Sequence, residues 1–438
     1  MSGRMRGILS YGSYIPQWRL VRSDIPKMVG TGGGSGTRSV ASFDEDTTTL
    51  GFEAARLALR AAPSGISPSA LWFTTVTPAY TDKANASAIH AALRLSPDVI
   101  AADLSGSVRS SIGALCLALQ ADAPSIVVAA DLRSGLPGSS DESEGGDAGA
   151  ALLVGEGAVI AELIGTGSST AEFTERWRTP GEMNSHVWED RFGETRYVPF
   201  GEEAWTEALK DAGLIAEDIN HVIVTGAHRR SIKVLTKRLG VQGRLIDDLG
   251  ATVGWTGAAS PALLLGTCLD EALPDKTIAV VSLADGADVL IFRTTPALAT
   301  FAASRPTNTQ AAAGKPLPYG KYLTWRGLLT VQPPNRPEPS RVSSSAAARS
   351  VDWKFSLRGH SDVLGTITTF TIDRMAHSPN PPVVFAVVDF DDGRRQSIEL
   401  TDVDPDEIAI GQRVEMTFRR LFTAGGIHNY FWKARLAL

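Results

Sequence analysis

Short apolar strands alternate with helices twice along the first 295 residues, and this alternation constrains the fold more than any other feature. In the first half the pattern predicts strands over 7–16, 71–77, 99–104, 125–130 and 146–154, with helices over 47–61, 84–95 and 111–121. The second half loosely repeats the order, with helices over 200–212, 231–239 and 261–272 and strands over 221–224, 277–282 and 289–293. Because such alternation produces sheets with parallel pairings covered on both faces, the chain is predicted to be α/β. The tetrapeptides at 146–149 and 284–287, each before a final strand, suggest an internal duplication.

The composition is that of an ordinary globular protein. The chain has 438 residues, 43% hydrophobic and 21% charged, which predicts two to four domains. A formal net charge of -6 argues against binding a nucleic-acid backbone. The two cysteines, Cys116 and Cys268, argue against a disulfide scaffold and fit a reducing compartment. No apolar run approaches a membrane span and no secretory leader is present, so we expect a cytoplasmic protein that contacts no membrane.

The composition changes after residue 296. Residues 297–350 are rich in Ala, Ser, Pro and Thr and are predicted to be a partly extended linker. From residue 351 the pattern becomes all-β, with short strands predicted over 365–374, 382–390, 395–400, 413–420 and 429–436. Five such strands favour a small OB-fold barrel. The acidic residues between these strands would repel a phosphate backbone, which disfavours nucleic-acid binding by the barrel.

The turn at residues 103–115, Asp-Leu-Ser-Gly-Ser-Val-Arg-Ser-Ser-Ile-Gly-Ala-Leu, resembles the nucleophile turn of the thiolase-fold condensing enzymes. The resemblance is to 3-hydroxy-3-methylglutaryl-CoA synthase and ketoacyl synthase III, and it covers roughly residues 5–295. It implies a duplicated five-layer thiolase-like fold with a C-terminal all-β OB-fold domain. We therefore expect an N-terminal half at 1–165, a C-terminal half at 166–296, the linker at 297–350 and the OB-fold domain at 351–438.

Residues 371–374, 381–382, 418–420 and 428–433 resemble the OB-fold proteins that accompany thiolases and HMG-CoA synthases. Those proteins usually carry a zinc ribbon with paired CxxC motifs. Here the corresponding stretch is Ser-Asp-Val-Leu-Gly-Thr at 361–366, preceded by His360. One histidine cannot replace four zinc ligands, so no metal site is predicted.

All four catalytic positions of the family differ in this chain. The cysteine expected five residues after Asp103 is Val108, and a valine side chain cannot attack a thioester. The family histidine corresponds to Thr225, the asparagine to Trp255 and the glutamate to Val76. The resemblance therefore implies a substrate pocket without a cysteine acyl-enzyme, lined by Val76, Val108, Arg109, Thr225 and Trp255.

Three other residues are candidates for catalysis. His228 is the candidate general base, because an imidazole titrates near neutral pH; the alternative is a capping histidine before Arg229 and Arg230. Tyr80 and Asp82, on the loop after residue 77, are candidates at the same pocket mouth, although such loop residues are more often structural.

The predicted ligand is a coenzyme A thioester, with no covalently bound cofactor. Arg229 and Arg230 are candidates for contacting its phosphates. Two interpretations of function stay open. One is an enzyme that forms or breaks a carbon–carbon bond of an acyl-CoA by aldol or Claisen chemistry. The other is a non-catalytic subunit that supports an active thiolase partner. In either case we expect a homodimer in which the strand at 125–130 continues the sheet across a two-fold axis.

Overall fold

The computed structural model describes residues 5–332, 336 and 363–437. The first half comprises β1 (Arg6–Tyr14), β2 (Trp18–Val21), α1 (Ile25–Val29), β3 (Thr37–Val40), α2 (Thr47–Arg60), β4 (Ala70–Thr74), α3 (Ala86–Leu93), β5 (Ile100–Asp103), α4 (Ser110–Gln120), β6 (Ser125–Asp131), α5 (Ser140–Glu144) and β7 (Ala148–Glu156). The second half comprises β8 (Ala161–Thr170), β9 (Arg176–Trp177), β10 (His186–Val187), α6 (Asp190–Ala212), β11 (His221–Gly226), α7 (Arg229–Arg238), α8 (Ser260–Leu269), β12 (Thr277–Leu283) and β13 (Gly286–Thr294). The remainder comprises α9 (Thr307–Ala312), β14 (Lys315–Leu317), α10 (Tyr319–Trp325), β15 (Gly365–Asp373), β16 (Val383–Phe390), β17 (Arg395–Leu400), β18 (Arg413–Ala424) and β19 (Ile427–Leu436).

The duplication is visible in the order of the strands. The main sheet has nine strands in the order β11-β12-β13-β8-β1-β7-β6-β4-β5. Counted outwards from the centre of the sheet, the first half has the order β1, β7, β6, β4 and the second half has the order β8, β13, β12, β11. In each half the first strand in the sheet is therefore followed by the last, the next-to-last and the second. The halves join where β1 and β8 pair antiparallel at Gly7–Glu162 and Ile8–Ala161. The two tetrapeptides noted in the sequence lead into the corresponding strands β7 and β13, and the α/β prediction is confirmed.

Helix α2 is the central element of the first half. Asp46 caps it, because its carboxylate accepts a hydrogen bond from Thr49 N at 3.1 Å while Thr49 Oγ1 accepts one from Asp46 N at 2.9 Å. Every residue from Thr47 to Ala58 is buried, since the helix lies between the main sheet and the C-terminal barrel.

The position of β6 corrects the predicted mode of dimerisation. Strand β6 pairs in parallel with β4 on one side and antiparallel with β7 on the other, and all its residues are buried. Its backbone groups are therefore already paired, and it cannot continue the sheet into a second copy. Within the described residues the outer strand of this half is β5, which pairs with β4 alone. Helix α4, which packs on β6, β4 and β7, buries Ile112 and Leu115 but leaves Leu117 53% exposed, so the helix is buried on one face only.

The segment predicted as a linker is partly folded. Strand β14 runs parallel to β2, which pairs antiparallel with β3. Tyr322 and Leu323 of α10 are buried with Leu20 and Val40 in a small apolar cluster. Residues 333–335 and 337–362 lie outside the described residues, and so do His360 and the predicted domain boundary at 351.

The five C-terminal strands form a closed barrel in the order β15-β16-β17-β19-β18, as predicted. The barrel packs on α2, where the Phe52 ring lies 5.0 Å from Phe418 and 5.5 Å from Trp432, centroid to centroid. Around this apolar contact lie buried ion pairs. Arg419 is fully buried, and the carboxylate oxygens that its guanidinium contacts are those of Asp44 at 3.2 Å, Glu45 at 3.0 Å and Asp402 at 2.6 Å. Two of these three carboxylates belong to the first half, so the barrel is tied to it by charge as well as by apolar packing.

None of the helices in the described part of the chain combines the length and apolar character needed to span a bilayer. In the same residues no group of three His, Cys, Asp or Glu side chains is placed to hold a metal ion.

Candidate functional site

A cavity of about 370 Å³ lies where the two halves meet. The first half contributes the chain after β6 and helix α5, and the second half contributes β9, β10, the end of β11 and the start of α7. The lining side chains are mostly charged or aromatic, and they include Arg133, Asp141, Glu144, Glu175, Arg176, His228, Arg229, Arg230 and Trp255.

Asp131, at the end of β6, holds together the segments beneath this cavity. Its Oδ1 accepts hydrogen bonds from Thr75 Oγ1 at 2.9 Å and from Val76 N at 2.8 Å, and its Oδ2 accepts one from Ala258 N at 2.7 Å. The carboxyl is fully buried, and burial raises its pKa. A Cβ at Gly257 would lie 2.1 Å from Asp131 Oδ2, and Gly257 has a φ of +59°, so glycine is required there. Val76 thus reaches the site through its backbone only.

Trp255 and Arg133 stack against each other in the cavity wall. Trp255 is fixed by its backbone, because its N donates to Glu144 O at 2.8 Å and its O accepts from Gly146 N at 2.9 Å. The Arg133 guanidinium lies 4.4 Å from the indole centroid, and the residue is 7% exposed. Burial lowers the pKa of Arg133, although Asp131 opposes that effect. The Trp255 Nε1 atom is buried and has no hydrogen-bond partner among the described residues.

His228 is among the residues that line the cavity. The residue is the N-cap of α7, and its Nδ1 accepts a hydrogen bond from Ser231 N at 3.1 Å. A backbone N–H can only donate, so Nδ1 carries the lone pair and the proton of the neutral ring is on Nε2. Nε2 is buried without a partner in the described residues. This geometry favours hydrogen-bond donation by His228, whereas the sequence predicted a general base; the capping alternative is what the structure contains.

Arg229 and Arg230 lie at the cavity rim, where their side chains are 41% and 52% exposed. Arg229 Nη1 lies 3.0 Å from Asp248 Oδ2 and its Nε lies 3.3 Å from Glu144 Oε2. Arg230 pairs with Glu194. Their predicted contact with CoA phosphates stays a prediction.

Thr225 joins the site from the end of β11. It is buried and lines a second recess of about 20 Å³, which it shares with Trp255. The structure therefore brings together Thr225, His228, Arg229, Arg230 and Trp255 from the predicted set.

Arg109 and Val108 are placed elsewhere. Arg109 forms a two-pronged ion pair with Asp288, with Nε to Oδ2 at 2.8 Å and Nη2 to Oδ1 at 2.9 Å, and its Nη1 donates to Asp285 O at 2.8 Å. Its positive charge joins the two halves, and Arg109 is not among the residues that line either recess. Val108 is half-buried in the same turn and is not among the residues that line either recess.

Tyr80 and Asp82 also lie away from the cavity. Tyr80 OH accepts a hydrogen bond from His428 N at 2.6 Å, and the two rings are 4.9 Å apart. Tyr80 therefore contacts the hairpin between β18 and β19, where a structural role explains it. Asp82 is exposed on the surface. The structure does not support a catalytic position for either residue.

Sequence reasoning missed the charged residues that dominate the cavity. Asp131 and Arg133 carried a usable signal, because they directly follow a buried strand, and ligand sites of α/β folds lie at the carboxyl ends of such strands. Glu175 and Arg176 carried none, since they lie in a stretch with no clear periodicity. Glu175 is 2% exposed and accepts a hydrogen bond from Tyr197 OH at 3.3 Å.

Comparison with known proteins identifies the family. The hydroxymethylglutaryl-CoA synthase of Methanosphaera stadtmanae is 30% identical over 314 residues, which are 66% of this chain and 88% of that protein. The chain belongs to the hydroxymethylglutaryl-CoA synthase family. The hydroxymethylglutaryl-CoA synthase of Archaeoglobus fulgidus is 29% identical over 68% of this chain and 91% of its own length.

Solved structures agree with this hydroxymethylglutaryl-CoA synthase fold. MvaS in complex with 3-hydroxy-3-methylglutaryl coenzyme A superposes with a TM-score of 0.63 at 17% identity, covering 90% of this chain and 99% of that one. 3-Oxoacyl-[acyl-carrier-protein] synthase III from Aquifex aeolicus gives 0.56 at 22% identity, covering 66% and 99%. The family model for the C-terminal OB-fold domain of ChsH2 matches residues 362–419. The chain is thus a thiolase-superfamily, hydroxymethylglutaryl-CoA synthase-like protein fused to an OB-fold domain.

Proposed function

We propose that this protein binds acyl-CoA and forms or cleaves a carbon–carbon bond of the acyl group without a cysteine acyl-enzyme. The single observation that carries the proposal is the cavity between the halves, because two of the residues that line it, His228 and Trp255, have buried N–H groups without an acceptor in the described residues. Buried donors usually have a hydrogen-bond partner in the protein, an ordered water or a ligand. Val108 in the nucleophile turn rules out the covalent route at that position.

The proposed step is a retro-aldol cleavage or its reverse. A base removes the proton from the β-hydroxyl, the bond between Cα and Cβ breaks, and the β-carbon becomes a carbonyl. The electron pair moves to the thioester as an enolate, which is then protonated at Cα. His228 Nε2–H is the proposed donor to the enolate oxygen. Glu175, a buried carboxylate in the same cavity, is the proposed base.

Turnover of a β-hydroxyacyl-CoA into two carbonyl products by the isolated protein tests this proposal. We expect His228→Ala to lower kcat by about 100-fold, the usual effect of losing an oxyanion donor. His221→Ala is the matched control, because His221 lies at the opposite end of β11. Turnover that His228→Ala leaves unchanged would contradict the proposed role.

The second candidate function is a non-catalytic subunit that supports an active thiolase. The departures at Val76, Val108, Thr225 and Trp255 and the match to the ChsH2 domain favour it. In that case activity would arise only after addition of a thiolase subunit, and it would be insensitive to His228→Ala.

A cytoplasmic homodimer is part of the proposal. The outer strand β5 and the exposed face of α4 offer a surface, where Ile100 is 61% and Leu117 53% exposed. Pairing of β5 with its copy would extend the sheet across a two-fold axis.

A further inference from the structure

We infer that Trp255 determines how long an acyl group the site accepts, because its indole stands between the cavity and a recess that an acyl chain would otherwise enter. The inference rests on the proposed function, since it names the feature of the acyl group that the site selects. Short acyl groups are accepted, and long apolar chains are excluded.

The recess adjoins the cavity and is nearly closed. Gly226, Arg229 and Trp255 line both spaces, so they form the wall between them. The recess has a volume of about 20 Å³, which is room for about one water molecule. An acyl chain therefore cannot occupy it while the indole is in place. The other residues that line the recess are Val224, Thr225, Ile232, Asp248, Ser260 and Leu264.

The surroundings of the recess suit an apolar chain. Val224 and Ile232 pack in one hydrophobic cluster of the core and Leu264 packs in another, so the recess lies where the two clusters approach each other. The polar side chains of Ser260 and Asp248 already have hydrogen-bond partners within the protein. Each methylene that moved from water into such a space would tighten binding by about fourfold.

The backbone of Trp255 is held in place on both sides. Its N donates to Glu144 O at 2.8 Å, and its O accepts from Gly146 N at 2.9 Å. Gly254, directly before it, has a φ of +90°, and a Cβ there would lie 2.5 Å from Gly145 O. The chain at this point is therefore pressed against the end of α5, and a glycine is required for that approach.

Two guanidinium groups hold the indole ring. The Arg133 guanidinium carbon lies 4.4 Å from the ring centroid and that of Arg176 lies 5.8 Å from it, distances at which a cation is attracted to the face of a tryptophan. Arg176 is fixed by two hydrogen bonds to Asp141, at 2.9 and 2.6 Å. Turning the indole out of the wall would break both contacts, so Trp255 is a fixed wall of the cavity.

Isothermal titration of the full-length protein with acetyl-CoA and decanoyl-CoA tests the inference. The quantity compared is the affinity for decanoyl-CoA divided by that for acetyl-CoA. We expect Trp255→Ala to raise this ratio at least about tenfold, because the long chain then reaches the recess. Trp255→Phe keeps a ring in the wall and should raise it by less than about threefold. Trp188→Ala is the matched control, since Trp188 is 58% exposed and lines neither space.

A double variant tests whether the chain enters the recess itself. Thr225 is buried and lines the recess, so Thr225→Leu in the Trp255→Ala background should refill it. We expect the ratio to return to within about twofold of the native value. A gain that persists in the double variant would place the chain elsewhere and contradict the inference.

The other outcomes separate the possible failures. If Trp255→Ala keeps the native ratio, or if the native protein already favours decanoyl-CoA by about a hundredfold or more, the inference is wrong and the proposed function stays intact. If the native protein binds neither ligand, both fail. Should circular dichroism find Trp255→Ala unfolded, Trp255→Leu takes its place, and an unchanged ratio in that variant overturns the inference.

Discussion

Ser231 determines which nitrogen of His228 can donate, because its N and Oγ lie 3.1 and 2.6 Å from Nδ1. Because Ser231 N donates to Nδ1 at 3.1 Å, the proton of the neutral imidazole is on Nε2, which is buried without a partner in the described residues. The chemistry of this site is therefore fixed by the residue three positions further along the chain.

The thiols should be unreactive, which gives a prediction about covalent loading. Burial raises the pKa of Cys116 to about 11 and that of Cys268 to about 12, so both are protonated near neutral pH. We expect incubation with labelled acetyl-CoA at pH 7.5 to leave the intact mass unchanged. Val108→Cys should be alkylated by iodoacetamide faster than the native protein, because position 108 is only half-buried. An acetyl adduct on Cys116 or a serine would contradict the absence of an acyl-enzyme.

At the scale of elements, two neighbouring arginines on β18 should differ greatly in importance. Arg419 is fully buried among Asp44, Glu45 and Asp402, so Arg419→Met removes the cation shared by three buried carboxylates, of which Asp44 keeps Lys433 at 2.9 Å. We expect the free energy of unfolding to fall by about 3–5 kcal/mol. Arg420→Met is the control, because this side chain is 29% exposed and 3.7 Å from Asp46, and it should cost less than about 1 kcal/mol. If urea denaturation gave similar losses of unfolding free energy for Arg419→Met and Arg420→Met, the importance of the buried network would be contradicted.

The outer strand β5 gives a second prediction at this scale. Ile100→Asp places a charge on the exposed edge strand, and we expect it to convert the proposed dimer into a monomer in light scattering. Leu273→Asp is the control, since Leu273 is 65% exposed between α8 and β12. A native protein that is already monomeric at micromolar concentration, or a dimer that survives Ile100→Asp, would exclude this interface.

The sequence predicted the elements whose apolar periodicity is clear and missed those that pack by other means. Helix α2 was predicted over 47–61 and runs over Thr47–Arg60. Strand β8 was missed because glycines take the place of apolar side chains. A Cβ at Gly165 would lie 2.7 Å from Ala208 O, and one at Gly167 would lie 2.1 Å from Ala204 O, so α6 packs on the bare backbone of β8. The cavity was only partly predictable, since Arg133 and Trp255 meet across 122 residues through contacts that no local pattern encodes.

For the whole molecule, the packing of the barrel against the rest of the chain should weaken at acid pH. Burial alone would raise the pKa of Glu415, but Arg435 and Arg305 lower it to about 2. A carboxyl with a lowered pKa stabilises the fold above its unfolded value of about 4.3, and this contribution, about 3 kcal/mol, is lost as the pH falls towards 2. We therefore expect the difference in unfolding free energy between native protein and Glu415→Gln to be constant above pH 5 and to shrink below it.

Chemical denaturation at pH 6, 4 and 3 measures that difference. Glu407→Gln is the control, because the Glu407 side chain is 62% exposed and pairs with Lys315 on the surface. Its effect should stay below about 1 kcal/mol at every pH. A Glu415→Gln difference that does not change with pH would mean that Arg435 and Arg305 do not hold the charged form of this carboxyl.

The acidic side chains beneath the barrel also bear on why the two domains are fused in one chain. Asp44 and Glu45 are buried by a domain that begins more than 300 residues later, and their counterions Arg419 and Lys433 lie on that domain. Two separate polypeptides would have to find each other at matched expression levels to neutralise these charges. Fusion fixes the stoichiometry at one barrel for each thiolase-like core, and a core made alone would leave Asp44 and Glu45 without Arg419 and Lys433.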